Sequence, residues 1–130
     1  MTKAGHFLEP LLSADSGGRL LVEGSGRSVA ESIERAFDSN TRRRGALGRD
    51  AMPERTAVVI APSWAIHTFF MRFPVDLVFA ARDGRVVKIR TGVEPWRMSA
   101  AAGAFAVVEL AAGAAGRAGL RVGDRLVATL

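Results

Sequence analysis

The 130-residue chain has the length of one ordinary domain, with 48% hydrophobic and 24% charged residues and a net charge of +5, enough to bury roughly two thirds of its unfolded surface around a single core. It has no cysteine and only two histidines, which excludes disulfides, thiolate metal sites and cysteine nucleophiles and leaves no metal site without carboxylate help. No apolar run approaches the roughly 18 to 20 residues of a membrane helix, and the 18 basic residues, all Arg except Lys3 and Lys88, are spread along the chain except at Arg42-Arg43-Arg44, without a nucleic-acid motif.

Residues 1 to 18 read as an uncommitted tail, interrupted by Glu9 and Pro10 and ending in Ser16-Gly17-Gly18. The interruption argues against a secretory signal, so the expected location is cytoplasmic. Residues 19 to 130 read as a single domain. Arg19 to Glu23 suits a strand closed by Gly24-Ser25-Gly26. Ser28 and Glu31 have the spacing of a capping box, and Val29, Ile33, Ala36 and Phe37 recur at helical spacing, so the main helix is expected at about 28 to 38. Asp38-Ser39-Asn40 mark a break or second cap, and a further short helix is expected from Thr41 to Met52, ended by Pro53.

After Pro53 the apolar period changes from helical to strand-like. Strands are expected at 57–60, 66–71 and 75–80, then a hairpin at Asp83-Gly84 leading into 85–93. A strand at 105–110, a small turn or short helix at 113–120 and a last strand at 125–130 complete the chain. The order argues for an α+β domain dominated by an antiparallel sheet or partly closed barrel, with one or two N-terminal helices.

This succession resembles the DUF192 (UPF0127) family of small bacterial and archaeal proteins. The resemblance rests on Arg43-Arg44-Gly45-Ala46-Leu47-Gly48-Arg49, His67-Thr68-Phe69-Phe70-Met71, Pro74-Val75-Asp76, Asp83-Gly84, and Pro95-Trp96 with Ser99. It continues through Glu109-Leu110, Gly113, Gly119 and Gly123-Asp124, and covers roughly residues 30 to 128. It implies a β-rich domain with an N-terminal helix and no established biochemical function. Some relatives carry a cysteine soon after the Trp96–Ser99 region, where this chain has Ala100, Ala101 and Ala102, and some have an export or lipid-attachment segment, which is not expected of this chain's first residues.

The polar residues threaded through Ile66 to Asp76 admit three readings. His67 and Asp76 could form an acid–base pair, with Ser99 completing a hydrolytic set, although Ser99 lacks a nucleophile-elbow context. Alternatively, His67, Arg72, Trp96 and Arg97 bind a small polar molecule or a protein segment. On the structural reading, Thr68 belongs to its strand and Asp76 accepts backbone N–H groups or pairs with Arg44 or Arg49. Trp64 and Trp96 then plug the open ends of the barrel. Asp76 is expected to be mainly structural and His67 dispensable for folding. A noncatalytic binding or accessory module is the favoured function, with hydrolysis or a purely structural role as alternatives. No cofactor is expected, and Gly123-Asp124 is read as a turn rather than a calcium loop.

Overall fold

The computed structural model describes residues 5–130; the first four residues of the expected tail lie outside them. Within the remainder of that stretch, Glu9–Ser13 forms a 3-10 helix with Pro10 in its first turn, and Leu8 and Leu11 are buried in the core.

β1 (Arg19–Val22) turns through Gly24 and Gly26, both at positive φ, into β2 (Ser28–Ala30), and β3 (Ser32–Ala36) follows at once. The main helix expected at 28 to 38 is therefore corrected to two strands. Ser28 does hydrogen-bond Glu31, but side chain to side chain rather than as a cap. The same apolar residues serve both patterns, since Val29 and Ala30 bury from one strand and Ile33 and Ala36 from the next. Pairing decides between them: Leu20 lies opposite Ala30, and β3 aligns along residues 56–60 from Ser32 beside Thr56 to Ala36 beside Ile60. A favourable cap contributes only about 1 kcal/mol, less than the burial of those side chains.

The helix starts later. Asp38 accepts the Thr41 N–H at 2.9 Å and caps α1 (Ser39–Arg44). Gly45 stops α1 with φ +46°, and a side chain there would also meet Glu109 Oε1 at 2.7 Å, so only glycine fits. The helix expected over 41–52 is correspondingly cut short, and residues 45–52 run as turns.

The rest of the chain supplies β4 (Thr56–Ile60), β5 (Ala65–His67), β6 (Val75–Ala80), β7 (Val86–Val93), β8 (Met98–Ala100), β9 (Ala106–Ala111), α2 (Ala114–Arg117) and β10 (Leu126–Thr129). Five strands form the central sheet in the order β3-β4-β9-β6-β7, three form a second sheet in the order β10-β1-β2, and β5 pairs with β8. All pairs are antiparallel except β3 with β4, which α1 connects. The domain is α+β and β-rich, and its sheets do not close into a barrel.

Every residue of β6 and β9 is buried, as expected of central strands covered on both faces. Val78, Ala80, Val108 and Leu110 pack under the three-stranded sheet with Leu20, Leu126 and the N-terminal Leu11. Val75, Leu77, Phe79 and Val107 pack on the opposite face with Ala46, Met52 and Met71 from the connecting segments.

Asp76 belongs to the first of these faces and is fully buried. Its Oδ1 accepts the Gly92 N–H at 2.9 Å, while Oδ2 accepts the N–H groups of Gly113 at 3.1 Å and Ala115 at 3.0 Å. No arginine reaches it: Arg49 forms a forked pair with Glu34, and Arg44 forms no ion pair among the described residues. The carboxylate thus clasps β7 and the start of α2 to β6. Removing it strands three amides, each costing about 1–3 kcal/mol where water cannot replace the lost acceptor. Asp76→Ala is expected to lose about 3 kcal/mol or more in urea unfolding. Arg49→Ala, which breaks a partly exposed pair, should lose no more than about 1 kcal/mol.

Candidate functional site

The apolar run of β9 is broken by Glu109, which shares a face with Val107 and Ala111 and is buried. Its Oε1 accepts the Ala46 N–H at 3.1 Å, its only hydrogen bond among the described residues. A buried carboxylate with one donor is costly to ionise. Burial pushes the Glu109 carboxyl up to about 7, against the opposing pull of the Ala46 amide and the charge of Arg49.

Glu109 lines a cavity of about 300 Å³. α1 contributes Arg42, Arg43 and Arg44 to one wall, and Ser63 and His67 border the other side. Arg42 is tied to the Phe37 carbonyl at 3.0 Å, whereas Arg43 and Arg44 are exposed and form no ion pair among the described residues. A buried acid, two available guanidinium groups and an imidazole edge can together receive a molecule that carries both an anionic group and a hydrogen-bond donor. Glu109 was named from the sequence only as part of the family resemblance and not as a candidate site residue. The signal was present as one carboxylate inside an otherwise apolar six-residue strand.

His67 ends β5, and the strand expected over 66–71 stops there because Phe70 turns the chain at φ +65°. A strand over 66–71 would put His67 and Met71 on one face, but Met71 is buried while His67 is exposed. The imidazole Nδ1 accepts the Phe69 N–H at 3.2 Å, and its ring lies 4.9 Å from that of Phe69. Thr68 is buried and acts as a staple. Its hydroxyl donates to the Glu94 carbonyl at 2.7 Å and accepts the Arg97 N–H at 2.9 Å, while its carbonyl accepts the Trp96 N–H at 3.1 Å.

That staple holds Trp96 at φ +67°, a left-handed conformation costing an L residue about 1–2 kcal/mol. Phe69 stacks on the Trp96 ring at 5.6 Å and Phe70 meets it edge-on at 4.6 Å. These rings plug nothing: Trp64 is 62% exposed, Trp96 56% and Phe70 70%. With no closed barrel there is no end to fill, and the expected core plugs are surface aromatics.

The residues considered for hydrolysis are not brought together. Both Asp76 oxygens are occupied by amides, and no hydrogen bond joins Asp76 to His67. Ser99 pairs with Ile66 and faces inward, whereas His67 pairs with Met98 on the outward face. The Ser99 hydroxyl is buried without a hydrogen-bond partner among the described residues. Of the residues considered for ligand binding, only His67 lines the cavity. Arg72 pairs with Asp50 at 2.6 Å and Arg97 with Glu94 at 3.4 Å, both in exposed surroundings. Among the described residues no three His, Asp or Glu side chains gather as a metal site, and no helix is long and apolar enough to cross a membrane.

The model of the DUF192 family, described as Uncharacterized ACR, matches residues 20–128. The chain belongs to the DUF192 family. Its fold is similar to a solved protein from Sinorhizobium meliloti 1021, described as a proposed transcription regulator, with 24% identity, a TM-score of 0.76 and 98% of each chain covered. It is also similar to a protein of unknown function from Novosphingobium aromaticivorans DSM 12444, with 25% identity and a TM-score of 0.72 over 83% of this chain and 82% of the other. No curated protein matches it.

Two measurements test this description of the DUF192 domain. Glu109 has a folded pKa near 7, above its ordinary 4.5, so its contribution to stability is complete below about pH 4.5 and is lost as pH rises through 7. The loss amounts to about 3 kcal/mol. Glu109→Gln keeps an acceptor for Ala46 without ionising. Its stability relative to the parent should therefore rise by about 3 kcal/mol between about pH 4.5 and pH 8 in denaturant titrations. Trp96→Gly relieves a left-handed residue while removing exposed ring contacts worth about 0.5–1.5 kcal/mol each. Its unfolding free energy should stay within about 1 kcal/mol of the parent, and a loss typical of a buried Trp, about 3–5 kcal/mol, would contradict the surface placement.

Proposed function

We propose that this DUF192 domain is a noncatalytic binding module whose site is the cavity between α1 and β5. The observation that carries the reading is Glu109, a buried carboxylate with a single hydrogen bond, lining that cavity together with Arg43 and Arg44, which have no ion-pair partner among the described residues. A ligand that donates to Glu109 and presents an anion to the arginines satisfies both kinds of group at once. His67 borders the same space and supplies a hydrogen-bonding edge. Arg72, Arg97 and Trp96 lie outside the cavity and act, on this reading, at its surroundings rather than at its centre.

Binding is favoured over hydrolysis because the Glu109 carboxyl hydrogen-bonds a backbone amide and no side chain among the described residues, and neither His67 nor Ser99 is hydrogen-bonded to an acid among them. Nucleophilic catalysis requires such a base-to-nucleophile contact or one close to it.

A thermal-shift screen of carboxylates, sugar phosphates, nucleotides and neutral sugars tests the proposal. An anionic class should raise the melting temperature, since a ligand at about 100 times its Kd stabilises by about 2.7 kcal/mol. The Arg43→Ala/Arg44→Ala variant should melt close to the parent without ligand, because both side chains are exposed, and should lose the shift. A shift that persists undiminished in that variant places the ligand elsewhere.

A further inference from the structure

We infer that the ligand of this cavity is an extended acidic segment of a partner protein, which adds to the free edge of β5 as a third strand; the inference rests on the binding reading above. The Thr68 N–H donates to the Arg97 carbonyl at 2.8 Å, and the Ala101 N–H to the Trp64 carbonyl at 2.9 Å, on either side of the three β5–β8 pairs. Bonded and non-bonded pairs alternate in an antiparallel ladder, so Ile66 and Ser99 complete the bonded set. The backbone groups of Ala65 and His67 then point away from β8.

The two outer edges of this small sheet are treated differently. On β8, the Met98 carbonyl accepts from Arg90 at 3.3 Å and the Ala100 carbonyl from Lys88 at 2.8 Å, so long side chains from β7 cover it. On β5, the Ala65 carbonyl accepts from Ser63 at 2.9 Å, and no strand among the described residues pairs with the remaining groups. The cavity meets this edge. Ala65, Ile66 and His67 all line it, and three consecutive strand residues can border one space only when it lies along the strand's edge, because successive side chains leave opposite faces. An unpaired edge is a template for another strand unless blocked.

Charge and polarity select the segment. On the inner side its side chains enter the cavity that Arg43 and Arg44 line, which favours Asp or Glu. On the outer side they continue the face of His67 and Met98, the latter 71% exposed, which favours apolar residues. An alternating acidic and apolar strand meets both faces, with main-chain bonds supplying affinity and alternate side chains supplying selectivity.

The probe is a blocked peptide of roughly ten residues alternating Glu and Val. It is compared with the same peptide N-methylated on its central amides and with free glutamate, and binding is followed by calorimetry and by amide exchange. The plain peptide should bind, slow exchange of the His67 amide, and lose at least about tenfold in affinity on N-methylation. His67→Pro, which removes the edge donor but no bond to β8, should weaken it by a similar factor, and by more than His67→Ala, which removes the imidazole but keeps that donor. If the N-methylated peptide or glutamate binds as well as the plain peptide, strand addition is wrong and the anion site stands. If neither peptide nor glutamate binds, both readings fail. A parent that dimerises while His67→Pro stays monomeric puts a second copy of the chain on the edge and overturns the partner segment. The N-methyl comparison keeps the test decisive even if the proline variant does not fold.

Discussion

Six consecutive antiparallel pairs between β6 and β9, from Val75 opposite Ala111 to Ala80 opposite Ala106, fix most of what this domain can do. Strand alternation allows each residue only one face, so this single register decides that Asp76 looks toward the three-stranded sheet and Glu109 toward the α1 segment. A slip of one residue would exchange every side chain of one strand between the two cores. The pairing is protected against that slip by apolar packing on both faces and by the three amides that converge on Asp76.

The two buried carboxylates then differ by what surrounds them. Asp76 accepts three backbone N–H groups, which complete its needs within the fold and make it a fastener. Glu109 accepts one, and beside it lies open space rather than packed backbone. The same chemical group is fully hydrogen-bonded in one place and left with a single donor among the described residues in the other. The left-handed turns at Phe70 and Trp96 show a similar economy, because Thr68 spends several hydrogen bonds to hold a loop whose aromatic rings face outward.

Much of the architecture is legible in the sequence after Pro53, where β4, β6, β7, β9 and β10 fall within a residue or so of the alternating apolar runs. The region before Pro53 is not, because Val29, Ile33 and Ala36 satisfy a helix and a pair of strands equally, and the partners of Ile33 and Ala36, Ala57 and Ile60, are remote in sequence. The cap itself was visible at Asp38, in the cluster read as a break or second cap. Asp76 was legible as a structural acid but not in its partners, since the amides of Gly92, Gly113 and Ala115 belong to segments that only the fold assembles. The cavity was hidden for the same reason. Its arginines lie in a stretch read only as a short helix, and nothing local connects Arg42, Arg43 and Arg44 to a glutamate in a strand far along the chain.

The three-stranded sheet has β1 at its centre, hydrogen-bonded on one side to nearby β2 and on the other to β10, with Arg19 opposite Thr129. During synthesis the β1–β2 hairpin can form early, but a lone hairpin is marginal in water. Leu20 and Val22 remain without the cover of Leu126 and Ala128 until the last strand leaves the ribosome. The central sheet is almost complete by then, since all its strands precede α2. Closure of the three-stranded sheet is thereby postponed until β10 has been made, and a chain without β10 leaves Leu20 and Val22 lacking their neighbours Leu126 and Ala128.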